Sequence, residues 1–429
     1  MILKNSLLLA IFSIVSVLLG IVRDKLLAVT VGVGPTLDVY NASFRVPDFI
    51  YGMFLAFITA GTVVPFLTKE DARGHLIESE KRFTSLLFFF GVVITVLVLL
   101  VGVTLPFYAH TIVPGFSEEQ VKEFIFTTRI LMLQPLFLGV SSLIACFAQL
   151  KREFLYYAIA PLGYSLGIIF GIVFLYSGHG VRGLIYGVIL GAVCSLLIQS
   201  ISLRRHKFSI SLANVNFAYI QELVMFAFPR SITNVVSQGR VVFLTAFATM
   251  LGPGVLSSFL FAQRVTDAMS QVISQSITTA SLPVLAREHE EHRIKEHERL
   301  VYIYTRVLFG VAVVLSLLVF PFRDTVVAIL YTNSKEGELI SLFLIGFLIA
   351  LPFSMASSYL SIGFYSMKNT SKVLLGNVLG TVSSVVSCYL LREKGVTALM
   401  FAVIIYYGVS SVSYMILYKM SHFGRDVNN

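Results

Sequence analysis

The sequence predicts an all-α polytopic membrane protein, with about twelve transmembrane helices in two six-helix lobes related by a parallel pseudo-repeat. Three observations predict it. The 429 residues are 56% hydrophobic and 13% charged, with mean hydropathy +0.85, where a soluble domain carries about 25% charged residues. Apolar runs of about 20 residues, the length that crosses a bilayer, recur along the whole chain. One charged motif occurs twice, 219 residues apart, as "RVPD" (Arg45 to Asp48) and "RVTD" (Arg264 to Asp267).

Hydropathy and breaker residues place the spans at 5–31, 38–67, 83–107, 121–149, 154–177, 181–203, 218–250, 255–285, 300–321, 338–366, 372–391 and 396–419. The opening run has no small-x-small cleavage site before Arg23 and reads as an uncleaved first helix. Basic residues concentrate in alternate connections, such as Lys69, Arg73, Lys81 and Arg82, then Arg204, Arg205 and Lys207, then Lys368 and Lys372. The opposite connections hold few, among them Lys122, Arg182 and Arg392. By the positive-inside rule both termini are cytoplasmic in a multi-pass protein of the cytoplasmic (inner) membrane. The net charge of +9 then reflects topology and anionic headgroups, not nucleic acid. Cys146, Cys194 and Cys388 lie far apart in apolar runs and read as packing residues.

The first two helices and the seventh and eighth read as one unit used twice. Arg23, Pro35, Arg45, Asp48 and Pro65 are spaced 12, 10, 3 and 17 residues apart; Arg240, Pro253, Arg264, Asp267 and Pro283 are spaced 13, 11, 3 and 16. The chain therefore divides into an N-terminal lobe at 1–207 and a C-terminal lobe at 208–429. Because six is even, both lobes enter from the same side, as a parallel repeat about the membrane normal.

A charge at mid-membrane costs roughly 2.5 to 3.5 kcal/mol on insertion scales, so the repeated charges need a reason. Repeat transporters place substrate between their halves, where Arg23, Arg45 and Arg264 can converge, with Arg240 the second-lobe partner of Arg23. The planar guanidinium fork fits phosphate or carboxylate, and diphosphate suits a bilayer carrier. Asp24, Asp38, Asp48 and Asp267 are placed to neutralise the arginines when the site is empty; Arg45 with Asp48 and Arg264 with Asp267 are i, i+3 neighbours. The bland alternative is a set of buried ion pairs that lock helix packing and bind nothing. Pro47 is expected to bend its helix, as a gate or only as structure.

Other signals carry less. "REHEEHRIKEHER" (Arg287 to Arg299) contains His289, His292 and His297 without metal-ligand spacing, and reads as a solvated cytoplasmic linker. Asn377 and Ser383 can ligate a cation or bond neighbouring helices. No phosphate-cradling G-x-x-x-x-G-K loop is present, so ATP is not the direct energy source. The loop at His110 to Gln120, with Glu118 and Glu119, is too short for the catalytic domain of a membrane enzyme such as a glycan polymerase. No cofactor or metal is expected; coupling falls to the membrane potential or a monovalent ion.

"GIVRDKLLAVTVGVGPTLDVYNASFRVPDF" (Gly20 to Phe49) resembles the MurJ (MviN) family of lipid II flippases, within the multidrug/oligosaccharidyl-lipid/polysaccharide exporter superfamily. Gly20, Arg23, Asp24, Ala28, Gly32, Gly34, Asp38, Ala42, Phe44, Arg45 and Pro47 fall on the family pattern, as do Ala262, Arg264 and Asp267 with Leu282 to Leu285. The resemblance implies a V-shaped cavity between two lobes, opening alternately to each side and carrying an undecaprenyl-diphosphate-linked sugar for peptidoglycan biosynthesis and cell shape. It further implies that Arg23, Asp24 and Arg264 line that cavity, with Asp38 another important acid. Tyr51 and Gly52 stand where the family has an arginine pair, Val17 stands where an arginine is common, and two further C-terminal helices of most members have no counterpart. The readings are a lipid II flippase, a flippase for another polyprenyl-diphosphate glycan, a MATE-type small-molecule antiporter, and a non-transporting scaffold. The expected partners are the lipid-linked sugar diphosphate and membrane lipids, for a monomer that can associate with cell-wall synthases.

Overall fold

A computed structural model describes residues 2–58, 63, 76–151, 153–205, 215–291, 293–331, 335–367 and 369–426. Pro65, Lys69, Arg73, Lys207, His292 and Lys368 lie outside the described residues. Among the described residues the structure is helical, without strands. It forms two compact units, Met1–Ala246 and Phe247–Asn429.

The first unit contains α1 (Ile2–Thr30), α2 (Pro35–Ser43), α3 (Arg45–Ile58), α4 (Leu76–Ile112), α5 (Glu118–Leu131), α6 (Leu133–Leu150), α7 (Phe154–Phe170), α8 (Tyr176–His179), α9 (Val181–Arg205) and α10 (Phe217–Met250), whose last turn crosses the unit boundary. The second contains α11 (Val255–Glu290), α12 (Ile294–Val319), α13 (Arg323–Leu330), α14 (Lys335–Ser366), α15 (Thr370–Leu390) and α16 (Val396–Asp426). By length and composition, eight of the described segments can cross a membrane. The expected first, second, seventh and eighth spans, which carry the charged motif, are not among those eight.

Pro47 is expected to bend its helix; the hydrogen-bond ladder is interrupted one turn earlier, at Phe44 between α2 and α3, where the backbone stays helical at φ −75° and ψ −20°. Proline has no N–H to give the Ser43 carbonyl four residues back, so the α-helical ladder is interrupted there. The same break recurs at Met132, three residues before Pro135, between α5 and α6. The broken helices pack half against half, α2 on α5 and α3 on α6. Ser43 Oγ meets Thr127 Oγ1 at 2.7 Å, and Tyr51 Oη meets Ser142 Oγ at 3.0 Å.

Elsewhere in this unit α7, with the π-turn Gly171–Leu175, lies against α9 along a seam of glycines. A Cβ at Gly187 would meet Gly171 Cα, and one at Gly167 would meet Gly191, so small residues are what admit the close backbone approach. Cys146 and Cys388 are buried as packing residues, whereas Cys194 is exposed on α9.

In the second unit α14 is central, packing on α11, α12 and α16. It is the most buried of the eight crossings at 67%, followed by the α5–α6 segment at 61%. These are the fourth segments of the two expected lobes. The turns after α8 and before α16 also match: "HGV" at Gly180 and "KGV" at Gly395 turn with φ of 58° and 59°, where only glycine is unstrained.

One expectation needs correction. The histidine segment is not wholly a solvated linker, because α12 begins at Ile294 and His297 is 1% exposed. Its Nε2 lies 2.8 Å from Ser366 Oγ and its Nδ1 2.7 Å from Tyr418 Oη. Three helices are thus tied at one buried polar point, which satisfies groups that would otherwise be costly to bury.

Candidate functional site: a buried arginine and aspartate cluster

The site in the first unit starts on α1. Arg23 reaches back along the helix to its neighbour, with Nη2 2.9 Å and Nε 3.0 Å from Asp24 Oδ1. Asp24 is 5% exposed, so the pair is charge-assisted and largely screened from solvent. On α2, Asp38 is 2% exposed in the first turn, where the helix dipole favours a carboxylate. Pro35 opens that helix with its missing N–H at a position that needs none.

Arg45 and Asp48 share the first turn of α3 and interact electrostatically. Gln134 of α6 donates Nε2 to Asp48 Oδ1 at 3.4 Å, so the two proline-broken helices meet at the carboxylate. Gln238 of α10 donates to the Asp48 carbonyl at 3.3 Å. Tyr164 of α7 lies within electrostatic range of Asp48, Tyr40, Arg23 and Tyr51. The first unit therefore carries two charged pairs, Arg23 with Asp24 on α1 and Arg45 with Asp48 on α3, the second met by polar groups of α6 and α10.

Tyr164, Tyr40 and Gln134 were not anticipated from the sequence. Tyrosines and a glutamine in apolar helices carry no spacing signal of their own; only the charged repeat stands out. Tyr51 and Gly52, which replace the family's arginines, are used for packing here. Asn234 donates to the Gly52 carbonyl at 3.1 Å, and a Cβ at Gly52 would fall 2.6 Å from Gln238 Nε2. A side chain at 52 would require Gln238 to move.

In the second unit, Arg264 of α11 lies with its guanidinium 5.5 Å from the Phe261 ring centroid, a cation–π contact. Phe261 is fully buried and stacks on Tyr331 at 4.3 Å, whose hydroxyl donates to the Phe261 carbonyl at 3.1 Å. Arg264 thus sits on a rigid aromatic base. Asp267, one turn on, is exposed, and Arg240 of α10 is partly buried. Asn377 donates to Tyr406 Oη at 3.3 Å and accepts from Thr381 at 3.4 Å, so it bonds neighbouring groups. No cluster of metal-ligand type occurs among the described residues.

An apolar helical chain with ionisable residues repeated within its helices has the character of a polytopic membrane transporter. The profile described as "Lipid II flippase MurJ" matches residues 27–426, and the chain belongs to that family. It is 27% identical to the probable lipid II flippase MurJ of Rhizobium tropici over 403 residues, covering 88% of this chain and 74% of that protein. With the lipid II flippase MurJ of Burkholderia cenocepacia it shares 23% over 409 residues, covering 90% and 78%. Among solved structures, a lipid II flippase MurJ in an inward closed conformation superposes with TM-score 0.79 at 18% identity, covering 96% of this chain and 87% of that one. An inward-facing MATE family transporter of the MOP superfamily gives 0.78 at 17% identity, covering 95% and 94%. These last two likenesses are of fold.

Proposed function

We propose that this chain carries lipid II, the undecaprenyl-diphosphate-linked peptidoglycan precursor, across the cytoplasmic membrane by alternating access. The observation that carries the reading is the Arg23–Asp24 pair, its carboxylate buried, in a charged motif that returns at Arg264. In the empty carrier Asp24 holds Arg23. The substrate's diphosphate displaces that carboxylate and recruits Arg45 and Arg264, with Asp38 and Asp267 balancing the excess charge and Arg240 occupying the repeat position of Arg23.

The two lobes of six helices, 1–207 and 208–429, then close on the anion, because binding relieves repulsion between arginines and favours the occluded state. The inside-negative potential or a monovalent ion returns the empty carrier. The basic connections support cytoplasmic termini, and the chain acts as a monomer that can associate with cell-wall synthases.

A flippase for another polyprenyl-diphosphate glycan shares the same diphosphate chemistry and is the second reading. The arginines oppose a MATE-type cation exporter. Complementation of a strain depleted of its lipid II flippase tests the proposal. The native chain should restore growth and cell shape, and Arg23→Ala should not; growth restored equally by both would overturn the role of Arg23, and failure of a well-expressed native chain would favour the second reading.

A further inference from the structure

Within the first unit, an apolar cavity of about 380 Å³ lies among α3, α4 and α10. From α3 it is lined by Val46, Phe49, Ile50 and Met53, the i, i+3, i+4, i+7 stripe of one helix face, about 10 Å long at 1.5 Å per residue. Tyr108 supplies a hydroxyl to the lining, but that group is turned back onto the Val101 carbonyl at 3.0 Å, so it offers a ligand little. Two walls of the space are fixed to each other by side-chain amides, since Asn234 and Gln238 of α10 donate to the Gly52 and Asp48 carbonyls of α3. On the α10 side Gly239 lines the cavity, and a Cβ there would meet nothing within 4 Å.

Charge stands at one end of this face. Arg45 is four residues before Phe49, one turn along the same face of α3. An apolar slot headed by an arginine is complementary to an amphiphile with an anionic head and a hydrocarbon chain. A dry apolar cavity of roughly 150 Å³ accepts benzene, so this volume accommodates about fifteen carbons.

We propose that this cavity receives the first three isoprene units of a polyprenyl diphosphate while Arg45 holds the diphosphate. The inference rests on the lipid-diphosphate reading above and adds where the head end of the chain lies. It gives the carrier a means to prefer lipid-linked over free diphosphate.

Equilibrium binding of isopentenyl, geranyl, farnesyl and geranylgeranyl diphosphate to the purified full chain tests it, with inorganic diphosphate and palmitate as competitors. Affinity should rise about tenfold or more from five to fifteen carbons and then level off. Gly239→Leu, a substitution that favours helix, should remove the rise while inorganic diphosphate still binds. The native series needs no variant, so the test survives poor folding of Gly239→Leu. A flat series, a rise untouched by Gly239→Leu, or displacement by palmitate as strong as by geranylgeranyl diphosphate would overturn the cavity assignment, the last by showing an ordinary acyl-chain site. If Arg45→Ala leaves every diphosphate affinity unchanged while Gly239→Leu abolishes the chain-length rise, the arginine reading fails and the chain site stands.

Discussion

At the scale of single residues, the decisive contrast is between a charge that only packs and a charge that is kept exchangeable. The Arg23 side chain retains 23% of its exposure although Asp24 is nearly closed off, as suits a group whose partner is to be displaced. Arg23→Lys keeps the charge but loses the bidentate fork, and should lower transport by about tenfold while binding persists; this is read as initial rate in proteoliposomes. Tyr164→Phe keeps the ring and removes a hydroxyl within electrostatic range of Arg23 and Asp48, and should slow transport severalfold with unchanged thermal stability. Gly52 makes a separate, structural prediction. Gly52→Ala drives a methyl into Gln238 and should cost about 1–3 kcal/mol, and Gln238→Ala should restore part of it in a double-mutant cycle. Equal losses with and without Gln238 would show that the clash is not the cause. Arg45, Asp48, Arg264 and Asp267 stand out in the sequence by their repetition. Tyr164 and Gln134 were not, because their importance comes from which helices meet.

Among the elements, the paired breaks at Phe44 and Met132 show how local chemistry shapes the site. A proline bend was legible at Pro47; that Pro135 breaks a second helix against it was not, since each proline alone reads as a kink without a partner. Pro47→Ala restores an N–H able to bond the Ser43 carbonyl. It should preserve or raise folded yield and lower transport severalfold, with slower amide exchange around residues 43–47. If transport is unchanged while exchange slows, the break is structural only. The α7–α9 seam predicts the opposite balance. Gly187→Leu should destabilise the fold in detergent by several degrees, because the added side chain would have to occupy the Gly171 backbone. The burial of His297 was hidden in a charged stretch, where its neighbours Ser366 and Tyr418 are distant in sequence.

For the whole molecule, the markers Arg45 and Arg264, the glycine turns at Gly180 and Gly395, and the burial of the fourth segment of each half describe a chain whose parts correspond in order. The apolar spans and the charged repeat were legible because period and composition report them directly. The aromatic base under Arg264 and the apolar slot beside Arg45 were not, because cavities are set by packing between helices that hydropathy treats alike. In this scheme the half-buried Arg23, released from Asp24, binds the diphosphate of a lipid during transport. That step is tested most directly by measuring translocation of fluorescent lipid II in proteoliposomes with the native chain and Arg23→Ala, each verified as folded and inserted. The account predicts that the native chain moves the lipid and Arg23→Ala moves it no faster than empty liposomes; translocation by Arg23→Ala at the native rate would contradict it.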